Sequence, residues 1–172
     1  MQKLNSILIA MVALVVFASL AHAAATLPNW AKQINTTKRF TVLTAFGGAA
    51  VLDNETGLVW EQDPSTTTRT WLNAQIHCNQ KTVGGRKGWR LPTIQELASL
   101  VDPNNPGGDP DLPPGHPFIN VQSSNYWSAT TRAFFTSFAW GVDFLDGVVG
   151  SSGKAGLNFV WCVRGGQGVD PQ

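Results

Sequence analysis

Gly88-Trp89-Arg90-Leu91-Pro92-Thr93-Ile94-Gln95-Glu96-Leu97 is where this chain commits to a structure. The second half of the run is a helix start. Thr93 is placed to act as N-cap, and Glu96, three residues later, completes a capping box. Pro92 stands just outside the helix, where its missing N–H does no harm. Behind the cap, Ile94, Leu97, Ala98 and Val101 recur at i, i+3, i+4 and i+7, which marks one buried face. The first half, Trp89-Arg90-Leu91-Pro92, is rigid and apolar. It predicts a buried entry into a short amphipathic helix of about two turns.

Upstream, Thr70 can cap a second helix over Trp71–Gln80, with Trp71, Ala74 and Cys78 on one inward face. Gly84-Gly85 ends the basic turn between the helices. Before that, Phe40–Leu43 is β-rich. Ala50–Leu52 and Leu58–Trp60 flank Asp53-Asn54-Glu55-Thr56-Gly57, a five-residue hairpin loop with glycine at its end. Asp63-Pro64 starts a polar loop. Downstream, Asp102–Pro117 is too rich in proline and glycine for regular structure. A loop of this length is expected to be exposed and to help form any ligand surface, together with the 138–150 hairpin. Strands follow at Asn125–Thr130 and at Phe138–Phe144, with Phe138, Trp140, Val142 and Phe144 on one side. Asp146-Gly147 turns the chain into Val148-Val149, and Ser151–Gly156 reads as a flexible turn. Asn158–Arg164 is the last strand, with Phe159, Trp161 and Val163 alternating against Val160 and Cys162. The order is strands, two short helices, a long irregular loop, then strands. That is an α+β class with helices segregated from antiparallel strands.

The amino terminus has the form of a secretory signal peptide over residues 1–23. Lys3 is followed by an apolar run from Ile7 to Leu20 and then Ala21-His22-Ala23. The apolar run is short for a spanning helix, which needs about 20 residues. The chain is therefore expected to be exported, periplasmic or secreted, and not to span a membrane after cleavage. Residues 24–38 read as a polar tether, 39–166 as one domain and 167–172 as a disordered tail. The chain has 12 Lys and Arg against 11 Asp and Glu. With Lys3 in the signal, the mature part is formally neutral, which gives no argument for nucleic acid. Two cysteines, Cys78 and Cys162, form an even count. In an exported chain that favours a disulfide over two buried thiols.

Five motifs stand in order. They are Asp53-x-x-Thr56-Gly57-Leu58-x-Trp60, Trp71-x-x-Ala74-x-x-x-Cys78, the Gly88–Leu97 run, Tyr126-Trp127-Ser128-Ala129-Thr130, and Cys162-Val163-Arg164. Together they resemble the Lcl C-terminal domain family over about residues 50–166. These are exported bacterial domains named after a Legionella collagen-like adhesin. The resemblance implies a C-type-lectin-like fold, in which a disulfide ties the first helix to the last strand, as Cys78 to Cys162 would. It also implies binding to glycans such as sulfated polysaccharides, although no collagen-like repeat is present here. Arg90-Leu91-Pro92-Thr93 is similar to a stretch of formylglycine-generating enzymes, which share the fold and depend on reactive cysteines. Two cysteines assigned to a structural bridge leave none for that chemistry.

The rest of the chain offers little catalytic pattern. His77 and His116 are isolated, and no nucleophile elbow, zinc-protease, phosphate-loop or Cys-x-x-Cys motif occurs. No enzymatic activity and no cofactor are expected. Asp102, Asn104, Asp109 and Asp111 supply hard oxygen ligands that could take calcium, though without EF-hand spacing. The lectin sugar motifs Glu-Pro-Asn and Trp-Asn-Asp are absent. Candidate ligand contacts are Lys81, Arg86 and Lys87 in the basic turn, Trp140 as a stacking ring, and Asp143 and Asp146 in the hairpin. Trp127 and Trp161 are read as core. The expected partner is a glycan, or a protein of the cell surface or envelope. The alternatives are an enzyme of the formylglycine-generating type and a structural envelope module.

Overall fold

The computed structural model describes residues 36–102, 104 and 109–165. The expected signal 1–23, nearly all of the tether and the tail 167–172 lie outside the described residues. The end of the tether is helical: α1 runs over Thr36–Arg39 and leads into strand β1, Phe40–Val42. Arg39 anchors it, with its guanidinium on the buried Asp53 carboxylate at 3.0 Å. A 3-10 turn at Thr44–Phe46 precedes β2, Ala50–Asp53, and β3, Val59–Glu61.

Then come β4, Ser65–Arg69, helix α2, Trp71–Gln80, β5, Trp89–Arg90, and helix α3, Ile94–Ala98. The second half of the domain holds β6, Asn125–Thr131, β7, Phe138–Asp143, β8, Val149–Gly153, β9, Asn158–Val160, and β10, Val163–Arg164. The strands make two five-stranded sheets, ordered β1-β2-β3-β10-β5 and β4-β9-β6-β7-β8. Pairing is antiparallel except between β6 and β9, which run parallel at Tyr126 and Phe159. The class is thus α+β with mostly antiparallel strands.

Two apolar clusters form the core. One gathers Trp60, Leu97, Leu100, Phe118, Tyr126, Phe144 and Trp161; the other gathers Phe46, Ala74, Cys78, Trp89, Trp127 and Cys162. The Gly88–Leu97 run serves both. Trp89 is 2% exposed in the second cluster, and Leu97 is buried in the first. The capping box is present in full: Thr93 Oγ1 accepts from the Glu96 amide, and Glu96 Oε2 accepts from the Thr93 amide at 2.8 Å. Glu96 also grips the Arg90 guanidinium with two bonds of 2.7 Å, fixing the entry strand to the helix it starts. Cys78 and Cys162 are joined as a disulfide, Cα to Cα 5.4 Å, which ties α2 to the residue before β10.

Five expectations change. The polar loop after Asp63-Pro64 contains a strand, because Ser65-Thr66-Thr67-Thr68 is β-branched enough to pair with β9. Ser151–Gly153 is the end of β8, not a turn; the turn falls at residues 154–157. The last strand breaks at Trp161-Cys162 into two pieces belonging to different sheets. Trp161 enters one cluster and Cys162 the other, and Glu61 holds the break by accepting from the Cys162 amide at 2.9 Å. Thr70 has cap conformation but makes no cap hydrogen bond. The Trp71 amide donates instead to the Lys154 carbonyl at 3.1 Å. Finally, the long loop is irregular where described, yet it is not largely exposed. Among its described residues Asp111, Leu112 and Pro113 are buried, and Leu112 joins the first cluster beside Phe118, just past the loop.

Candidate functional site

The side expected from alternation on β7 is real but graded. Val142 and Phe144 are fully buried, Trp140 is half-buried, and Phe138 is exposed. Pairing of β7 with β8 sets Ser151 beside Trp140 and Gly153 beside Phe138. Here the stripe leaves the core and meets the turn between β6 and β7. The Arg132 amide donates to the Phe138 carbonyl at 3.0 Å, which curls the turn over the strand. The Arg132 guanidinium then lies 4.8 Å from the Phe135 ring centre and 5.8 Å from that of Trp140, and donates to Ser151 Oγ at 3.2 Å. Two aromatic faces and a hydroxyl fix this cation. Among the described residues it has no carboxylate partner.

A second cation joins the same turn. Lys154 donates its amide to the Ser137 carbonyl at 2.8 Å. Its ammonium lies 3.8 Å from the Trp71 ring centre and donates to Thr131 Oγ1 at 2.8 Å. Trp71 is itself oriented by its indole N–H, which donates to the Ser128 carbonyl at 2.8 Å. Lys154 too has no carboxylate partner among the described residues. The segments 64–95, 112–142 and 147–165 contain no Asp or Glu at all. Two half-buried cations are thus each held by aromatic and hydroxyl groups. Guanidinium and ammonium both bind sulfate or carboxylate oxygens through charge-assisted hydrogen bonds.

The other predicted ligand residues are not joined to this cluster. Lys81 is spent on Glu61, a buried carboxylate whose pKa burial raises while Lys81 opposes the shift. Arg86 lies 4.8 Å from the Phe46 ring centre and Arg164 5.9 Å from the same ring, with Lys87 exposed nearby in sequence. The structure shows no hydrogen bond, ion pair or ring contact between Lys81, Arg86 or Lys87 and Trp140, Asp143 or Asp146. Asp143 is bonded to β6 and to its own turn, and Asp146 to its own turn. Asp143 accepts from Asn125 Nδ2 and the Leu145 amide, both at 3.0 Å, and Asp146 accepts from the Val148 amide at 3.2 Å.

The acidic loop does reach that hairpin, as expected, for the Asp111 amide donates to the Phe144 carbonyl at 2.7 Å. Asp102 accepts from the Asn104 amide at 2.9 Å, and Asp109 accepts from Ser123 Oγ. Asp111 Oδ1 is buried with no hydrogen-bond partner among the described residues, and burial together with Asp102 and Asp146 raises the Asp111 pKa. Among the described residues no group of three or more His, Cys, Asp or Glu side chains is arranged to hold a metal ion. The histidines are shifted the same way by burial. His77 falls to about 4, helped by Arg69 and Lys81, and His116 is lowered while stacked on Phe118.

Sequence reasoning missed Arg132, Phe135 and Lys154. A signal was there: Arg132-Ala133-Phe134-Phe135 is an apolar turn without glycine, asparagine or aspartate, inside a long acid-free stretch.

The profile of the Lcl C-terminal domain family matches residues 49–164. Strand β1 lies before the match yet completes its first sheet. No curated protein matches the chain.

Proposed function

Because this chain belongs to the Lcl C-terminal domain family, we propose that it is an exported, non-catalytic binding module for anionic glycans such as sulfated polysaccharides. The observation that carries the reading is Arg132, half-buried between Phe135 and Trp140, held by Ser151 and with no carboxylate partner among the described residues. A guanidinium fixed this way offers a sulfate ester two parallel N–H donors, and the neighbouring rings offer apolar faces for sugar C–H groups. Lys154, on the β8–β9 turn and bonded through its amide to Ser137, supplies a second positive charge. A C-type-lectin-like arrangement is part of the proposal. The bridge from α2 to the entry of β10 supports it.

The test is a heparin titration of the protein, with desulfated heparin as the control. Sulfated chains are expected to bind and desulfated ones to bind at least tenfold more weakly. Arg132→Gln should weaken the sulfated ligand about tenfold, the worth of one charge-assisted contact. Equal binding of both polysaccharides, or no effect of Arg132→Gln, would overturn the reading. Repeating the titration with and without calcium asks whether Asp102, Asn104, Asp109 and Asp111 contribute.

A further inference from the structure

The turn that carries Arg132 also carries a feature the glycan reading leaves unused. Phe134 is 95% exposed and Phe135 54%, adjacent at the tip of the β6–β7 connection. Phe135 packs on Arg132 and Phe138, but the nearly fully exposed Phe134 presents its apolar ring to water. Two further turns are bonded to this one. The Lys154 amide donates to the Ser137 carbonyl, and the Trp71 amide donates to the Lys154 carbonyl. They bring exposed Leu157 from the β8–β9 turn and exposed Leu72 from the start of α2. On these turns Arg132 lies against the Phe135 ring and Lys154 against the Trp71 ring. None of the three contributing segments contains an acidic residue.

Protruding aromatics with aliphatic neighbours and a basic collar match an anionic lipid surface. The rings enter the headgroup–acyl boundary, and the cations stay among the phosphates. A cluster lacking any carboxylate avoids repulsion at such a surface. We infer that the three-turn cluster led by Phe134 and Phe135 is a peripheral docking site for an anionic lipid surface, sharing Arg132 and Lys154 with the contact proposed for glycans and adding Phe134 to it.

The experiment is co-sedimentation of the protein, purified as its own cell processes it, with phosphatidylglycerol vesicles and with phosphatidylcholine vesicles. The expected result is binding to phosphatidylglycerol and at least tenfold less to phosphatidylcholine. Phe134→Ser with Phe135→Ser should lower phosphatidylglycerol binding at least tenfold, while Phe134→Leu with Phe135→Leu retains most of it. Unchanged thermal melting shows that the serine variant is folded. Heparin binding should remain in a Phe134→Ser variant, so failure here and failure of the glycan reading are separable. Full binding by the folded double-serine variant would overturn the site, as would absence of wild-type binding to phosphatidylglycerol. Capture of a protein in place of vesicles would overturn it in favour of a protein partner.

Discussion

Asp111 sits in an environment that disfavours its charge. Its buried Oδ1 has no partner among the described residues, and Asp102 and Asp146 add repulsion. A carboxyl whose folded pKa is raised above its unfolded value destabilises the fold when ionised, and that cost disappears as pH falls below the unfolded pKa of about 4. Asp111→Asn should therefore raise stability at pH 7 by about 1 kcal/mol, the scale of one unsatisfied buried acceptor. The gain should shrink toward pH 4. A melting temperature unchanged at pH 7 would refute it. In the sequence Asp111 is only one of several loop acids. Nothing in its spacing says that Leu112 beside it is a core residue, because core membership of an irregular loop is decided by which gap it fills, not by a period. Arg132 was hidden for a related reason: its partners Trp140 and Ser151 come from two other strands, so the constellation exists only in three dimensions.

At the scale of elements, local chemistry was legible and sheet membership was not. The start of α3 was written out in Thr93 and Glu96, and the structure has both capping bonds. Glu96 does more than cap. Burial pulls its pKa up, but the Arg90 and Thr93 bonds outweigh this and hold it below the usual carboxylate range. A lowered folded pKa contributes stability above the unfolded value of about 4.3, and that contribution is lost as pH falls through the folded value. Glu96→Gln should cost about 2 kcal/mol at pH 7 in chemical denaturation. Wild type and variant should converge in acid below about pH 4; curves that stay parallel would sink the assignment. The break in the last strand was illegible. Phe159, Val160, Trp161, Cys162 and Val163 all suit a strand, and only the need to serve two sheets interrupts them. Likewise, β4 looked polar because its threonines are half out in solvent, although β-branching favours the strand.

For the whole molecule, the disulfide is the covalent cross-link, joining Cys78 and Cys162 across 84 positions. Closing a loop of that size stabilises the fold by about 4–5 kcal/mol in the chain-entropy model. Reduction, or Cys78→Ala with Cys162→Ala, should lower the denaturant midpoint accordingly; an unchanged midpoint would mean that the two clusters hold α2 and β10 together unaided. The same bond has a mechanical side. If the domain is pulled apart between Phe40 and Arg164, everything from Cys78 to Cys162 stays locked inside a covalent ring. Only about 40 residues can then unravel, roughly 140 Å of chain at 3.5 Å per residue. The ring encloses β6, β7 and β8 with the whole Arg132 turn. A load carried along the polypeptide thus bypasses the surface that would grip a ligand, and the bound contact need not let go when the first sheet yields.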